Sequence, residues 1–146
     1  MAPRRSILSR RLLLAEACLW LLVARAALLL VPFPRLARGW GAFVAQPDGG
    51  GRAGRTELSA QDAAKAAAIG WAVARAARRA PFKLVCLPKA MAARWMLRCR
   101  SIPSVLHFGA AHVSQPIEAH AWLDAGGVKV AGYPLANNLI EIGRFT

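Results

Sequence analysis

The sequence predicts an α+β fold in which helices come first and a small antiparallel sheet follows. Apolar residues recur at helical spacing as far as Cys99, whereas from Ser104 onward they alternate around a Gly126-Gly127 turn. Hydrophobic residues make up 56% of the 146 and charged residues 18%, which supplies a sizeable core and excludes generic disorder. That length favours a single domain. Three parts are expected along it: an apolar N-terminal helical region at 1–45, a Gly-rich loop at 46–58 and the core at 59–146.

The first element is an apolar stretch at 12–31, preceded by Arg4, Arg5, Arg10 and Arg11. Basic residues before an apolar run, with Ala24-Arg25-Ala26 behind, imitate a targeting signal. Glu16 and Arg25 interrupt the run, however, and leave 17–24 as its longest uncharged piece, far below the roughly 18 residues of a span. The stretch therefore reads as a very apolar helix packed on the rest of the domain, on a partner or on a membrane surface. Pro32 and Pro34 stop it. Leu36, Trp40 and Phe43 then suggest a short helix at 33–44.

Three consecutive glycines mark 46–55 as a flexible loop. Ser59 caps the next helix, with Asp62 at the third position of a capping box, and the helix runs to Arg79 with Ala66, Ile69, Val73 and Ala77 on one face. Another starts at Cys86, where Pro88 is tolerated because a first-turn residue has no intrahelical N–H partner. Leu87, Met91, Trp95 and Cys99 form its expected core stripe, and Ile102-Pro103 ends it. Strands are expected at 104–113, 117–123 and 128–132, with 124–127 as the hairpin turn.

Charge is unevenly spread. Lys and Arg number 20 against 7 Asp and Glu, with 18 and 4 of these in residues 1–100 and 2 and 3 in the remainder. A basic front implies an acidic counterpart. Arginines dispersed over helix ends and loops, without interleaved exposed aromatics, argue against nucleic acid. Cys18, Cys86 and Cys99 are odd in number and unpaired in spacing, so a disulfide framework and a zinc site are not expected, and the compartment reads as reducing and cytoplasmic.

Cys86 carries the chemical interest. Free backbone N–H groups and the positive dipole end favour a thiolate at the first turn of a helix, and Lys83 and Lys89 add positive potential. His120 falls in an expected strand with Trp122 on the same face. A cysteine served by a distant histidine is the requirement for cysteine acyl transfer.

Leu84-Val85-Cys86-Leu87-Pro88-Lys89-Ala90, Leu97 to Pro103 (LRCRSIP), Val105-Leu106-His107-Phe108-Gly109 and Ala119-His120-Ala121-Trp122 before the Gly-Gly turn resemble one family. It is the stand-alone, transglutaminase-like leader peptidase of lasso-peptide biosynthesis. The resemblance implies a transglutaminase-like, papain-like core and a cysteine peptidase that cuts the leader from a ribosomally made precursor before a separate cyclase closes the macrolactam ring. It implies Cys86 as nucleophile, His120 as general acid and base, and the Cys86 backbone N–H near the oxyanion. It also implies a precursor peptide, a leader-binding companion and a cyclase as partners, and no cofactor.

One position departs from that pattern. The family's orienting aspartate falls where this chain has Gly132. Asp124 is four residues from His120, roughly 13 Å along an extended strand. Asn137, Asn138, Tyr133, Asp124 or a backbone carbonyl remain as orienters. A catalytically inactive scaffold on the same fold is the rival reading, and a glutamine-directed transglutaminase is conceivable from fold alone. Cys18 and Cys99 are expected in the core, His107 as structural, His112 as exposed and the five tryptophans as packing. Peripheral membrane contact by the N-terminal helix is compatible with all of these.

Overall fold

The computed structural model describes residues 3–45, 56–111 and 118–146, the side chains of 3–8 apart. Most of the expected glycine-rich loop, 46–55, and His112 lie outside the described residues. Helices α1 (Pro3–Leu30), α2 (Phe33–Arg38), α3 (Ala60–Arg79) and α4 (Cys86–Arg98) precede most of the sheet. Strand β1 is Phe43–Ala45, and β2 (Val105–Ala111), β3 (Glu118–Ala125), β4 (Val128–Ala131) and β5 (Leu139–Phe145) follow α4. All neighbours are antiparallel in the order β1-β5-β2-β3-β4. The α+β expectation holds.

The apolar residues form one core. From α3 it takes Ala66, Ile69, Ala72 and Val73, and from α4 Ala90, Met91, Ala93, Met96 and Leu97. Leu106, Leu123 and Val130 close it from the sheet. Ser59 Oγ accepts from the Asp62 N–H at 3.1 Å, satisfying one of the orphan donors of α3 as the capping pattern requires. Gly70 lets α3 press on β4: a Cβ there would lie 2.6 Å from the Val130 carbonyl oxygen. Helix α1 lies behind α3 and α4 and buries Ala17, Leu21 and Ala24 against them.

Glu16, which interrupts the apolar stretch, is not left bare. Arg100 reaches it from beyond α4 with two bonds of 2.6 and 2.8 Å, and this pairing holds the Glu16 carboxyl below its ordinary range. Trp20 of α1 and Trp95 of α4 meet beside it with ring centroids 5.3 Å apart and planes tilted by 46°. The N-terminal region is thus built into the rest of the chain, and β1 is the edge of its sheet.

Several expectations need correction. Cys18 and Cys99 are exposed, not core, and of the α4 stripe only Met91 is fully buried. Trp71 is a surface residue, with the Arg10 guanidinium 5.6 Å over its ring. The expected helix at 33–44 stops at Arg38 and gives way to β1. Strand β3 continues to Ala125, so the turn is Gly126-Gly127 alone, and β5 had no counterpart among the expected strands.

Arg94 clamps the two chain ends of the sheet. It is 6% exposed, and its guanidinium donates to the Phe145 carbonyl at 3.0 Å and to that of Trp40. Burial holds it below the usual arginine range, and Arg98 adds a like charge. Arg94→Leu leaves both carbonyls without this donor and is expected to cost about 2–3 kcal/mol, a fall in Tm of roughly 6–10 °C. A thermal melt followed by circular dichroism checks it.

Candidate active site

Helix α4 opens directly on Cys86, with Val85 extended ahead of it and no side-chain cap on its first amides. The Cys86 Sγ consequently lies at a helix N-terminus and meets β3, where the Ala121 N–H donates to it at 3.4 Å. The next residue back along β3 is His120, so the two predicted site residues are brought to one place. Both line a groove of about 670 Å³. Gly70, Ala74 and Ala77 of α3 give that groove a wall of small side chains, and Arg78, Lys89 and Glu118 supply its charges.

His120 Nε2 lies 2.6 Å from the Gly132 carbonyl oxygen. A carbonyl only accepts, so Nε2 carries the proton and donates, which leaves Nδ1 of the neutral ring as the acceptor. The imidazole is therefore oriented and its tautomer set by a backbone atom, at the position where the family resemblance implied an aspartate. Gly132 has φ +84°, and a Cβ there would lie 2.4 Å from the Ala121 oxygen and 2.7 Å from the Trp122 Cα. Only glycine brings its backbone this close to β3.

The other proposed orienters are elsewhere. Asp124 accepts from the Tyr133 hydroxyl at 2.5 Å, and its second oxygen is 3.5 Å from His107 Nε2. Asp124 and Tyr133 thus bond each other rather than His120. Asn137 and Asn138 are exposed, and neither contributes a bond to His120. His107, expected to be structural, is buried between two carboxylates: Glu141 Oε1 is 2.7 Å from its Nδ1 and Asp124 lies on the other side of the ring. Its ring stacks on Trp122 with centroids 5.2 Å apart and planes 4° from parallel, and Trp122 stacks in turn near His120 at 6.3 Å.

A polar chain therefore runs Glu141–His107–Asp124–Tyr133 and ends one residue from the Gly132 carbonyl. The sequence held one clue to it. Antiparallel pairing across the 106–123 hairpin sets His107 opposite Trp122. Glu141 carries no such signal, since β5 joins β2 from far along the chain.

Burial, aided by the bond to Asp124, pushes the Tyr133 phenol well above its ordinary range. A group whose folded pKa is raised stabilises the fold below its unfolded pKa and loses that contribution as pH rises above it. Tyr133→Phe is expected to cost about 1 kcal/mol at neutral pH, and the gap to wild type should narrow above about pH 10. Urea unfolding of both proteins at the two pH values measures it.

The family model described as the transglutaminase-like superfamily aligns with residues 27–140. The chain belongs to the transglutaminase-like superfamily. No curated protein and no solved structure matches it. The superfamily includes cysteine peptidases. In this transglutaminase-like chain the match begins within α1 and ends within β5, so it takes in both Cys86 and His120.

Proposed function

We propose that this transglutaminase-like chain is a cysteine peptidase that cuts the leader from a ribosomally made lasso precursor, acting in the cytoplasm before a separate cyclase closes the macrolactam. The observation that carries the reading is the bond from His120 Nε2 to the Gly132 carbonyl, which leaves Nδ1 as the ring's acceptor in the groove that the helix-end Cys86 also lines. A protonated Nε2 and a free Nδ1 are what a general base needs. Cys86 Sγ gives its proton to Nδ1 and attacks the scissile carbonyl carbon. The oxyanion forms at the uncapped amides of the first turn of α4. His120 returns the proton to the leaving amine, and water, deprotonated by the same nitrogen, releases the leader from its thioester. The companion protein presents the leader, and the charges of Arg78 and Lys89 on the groove suit an acidic segment.

A second reading, an inactive scaffold that binds precursor and partners, draws on the lack of a carboxylate at Gly132. The experiment that separates them uses a Cys18→Ser/Cys99→Ser background, because both of those thiols are exposed. The protein, its companion and a precursor peptide are followed by mass spectrometry before and after iodoacetamide. A single cut at the leader–core junction that stops when one carbamidomethyl group is mapped to Cys86 supports the peptidase. Binding of the peptide without any cut supports the scaffold.

A further inference from the structure

Packing of α1 on α3 and α4 uses one side of that helix and leaves the other apolar. Leu12, Leu19, Leu22, Leu29 and Leu30 are 63%, 60%, 55%, 69% and 81% exposed. At 100° per residue they form one stripe about 27 Å long and roughly 120° wide, which Val23 falls within. A narrow seam for a single partner helix would use fewer positions. A soluble monomer rarely leaves a patch of this extent in water, so something covers it.

The surrounding charge indicates what. Residues 1–45 hold seven arginines and the lone carboxylate of Glu16, which Arg100 already neutralises. Arg11 lies in line with Leu22 and Leu29 on the helix wheel, and the exposed Arg35 and Arg38 of α2 follow immediately beyond the stripe. We propose that α1 and α2 form a docking face for an anionic bilayer surface, with the leucines in the acyl boundary and the arginines among the headgroups.

By length and hydropathy the stretch Ser9–Leu30 could cross a membrane. Crossing would strip Ala17, Leu21 and Ala24 from the core and break the Glu16–Arg100 pair. The helix therefore lies in the interface plane. Among the described residues none of α1 or α2 lines the groove of Cys86 and His120, so the docked protein keeps its groove open. The inference does not depend on the proposed reaction, and its readout is binding alone.

The full chain is floated with vesicles of phosphatidylglycerol and phosphatidylcholine, and with phosphatidylcholine alone. Binding to the anionic vesicles only, released by alkaline carbonate, is expected. The exposed-face variant Leu19→Gln/Leu22→Gln/Leu29→Gln should bind at least tenfold more weakly with an unchanged circular-dichroism melt, and Arg35→Gln/Arg38→Gln should reduce the salt sensitivity. Equal binding to both vesicle types, or none, overturns the proposal. So does retention after carbonate, which marks a spanning helix, or a dimer in solution that the leucine variant splits, which marks a second copy on the face.

Discussion

His120→Ala is expected to lower kcat/KM for the proposed leader cleavage by about 10²–10⁴-fold, the range a positioned general base supplies, with little change in Tm. The structural role of the side chain is one hydrogen bond from a half-buried ring to the Gly132 carbonyl and a loose stack on Trp122. Losing one such bond costs the fold about 1 kcal/mol, whereas losing Nδ1 removes the ring nitrogen that the proposed mechanism uses as base. His120→Gln keeps the two effects apart, because the glutamine amide nitrogen reaches the position of Nε2. Its amide NH₂ can still donate to Gly132, yet it takes up no proton, so it should melt like wild type and cleave like the alanine variant. Time courses by mass spectrometry, paired with thermal melts, test both. Cleavage at the wild-type rate by His120→Ala, with Cys86→Ala inactive, would place the base on another residue.

Periodicity made α3 legible: Ala66, Ile69 and Val73 are buried as their spacing requires. It failed on α1 because a helix apolar all round has a period but no phase. Nothing in 12–31 says that Ala17, Leu21 and Ala24 face inward while Leu19, Leu22 and Cys18 face out; the partner surfaces of α3 and α4 decide that. Strand β1 escaped for a related reason. It is three residues long with every side chain exposed, and its conformation comes from backbone pairing with β5 rather than from its own pattern. In β5 the two isoleucines are exposed, and Gly143 and Phe145 are the buried positions, so its alternation points the wrong way. Cys86 and His120 could be read because a helix start and a strand are local features. The orienter could not, since a backbone carbonyl has no side chain to betray it, and it lies past the end of β4, whose ladder with β3 shifts register after Leu123.

That hidden carbonyl gives the sharper prediction. Gly132→Asp, which would restore the aspartate that the lasso-peptidase resemblance implies, is expected to destabilise the fold by about 2–5 kcal/mol and to abolish the proposed cleavage. The φ of +84° costs a non-glycine residue about 1–2 kcal/mol, and overpacking adds about 1–3 more. The contacts are with backbone, 2.4 Å to the Ala121 oxygen and 2.7 Å to the Trp122 Cα, so no rotamer change on a neighbour relieves them. Relief requires β3 and the 132–134 segment to separate, and that movement withdraws the carbonyl from His120 Nε2 and disturbs Ala121, whose N–H meets Cys86 Sγ. Gly132→Ala carries the same Cβ without the carboxylate. If the clash governs, the two variants fall together in urea unfolding and in kcat/KM. If the aspartate variant instead cleaves faster than wild type while the alanine variant fails, a carboxylate can reach the imidazole and the backbone carbonyl is only a substitute for it. The close approach of Gly132 to β3 favours the first result: the same absence of a side chain that removes the aspartate admits the carbonyl that replaces it.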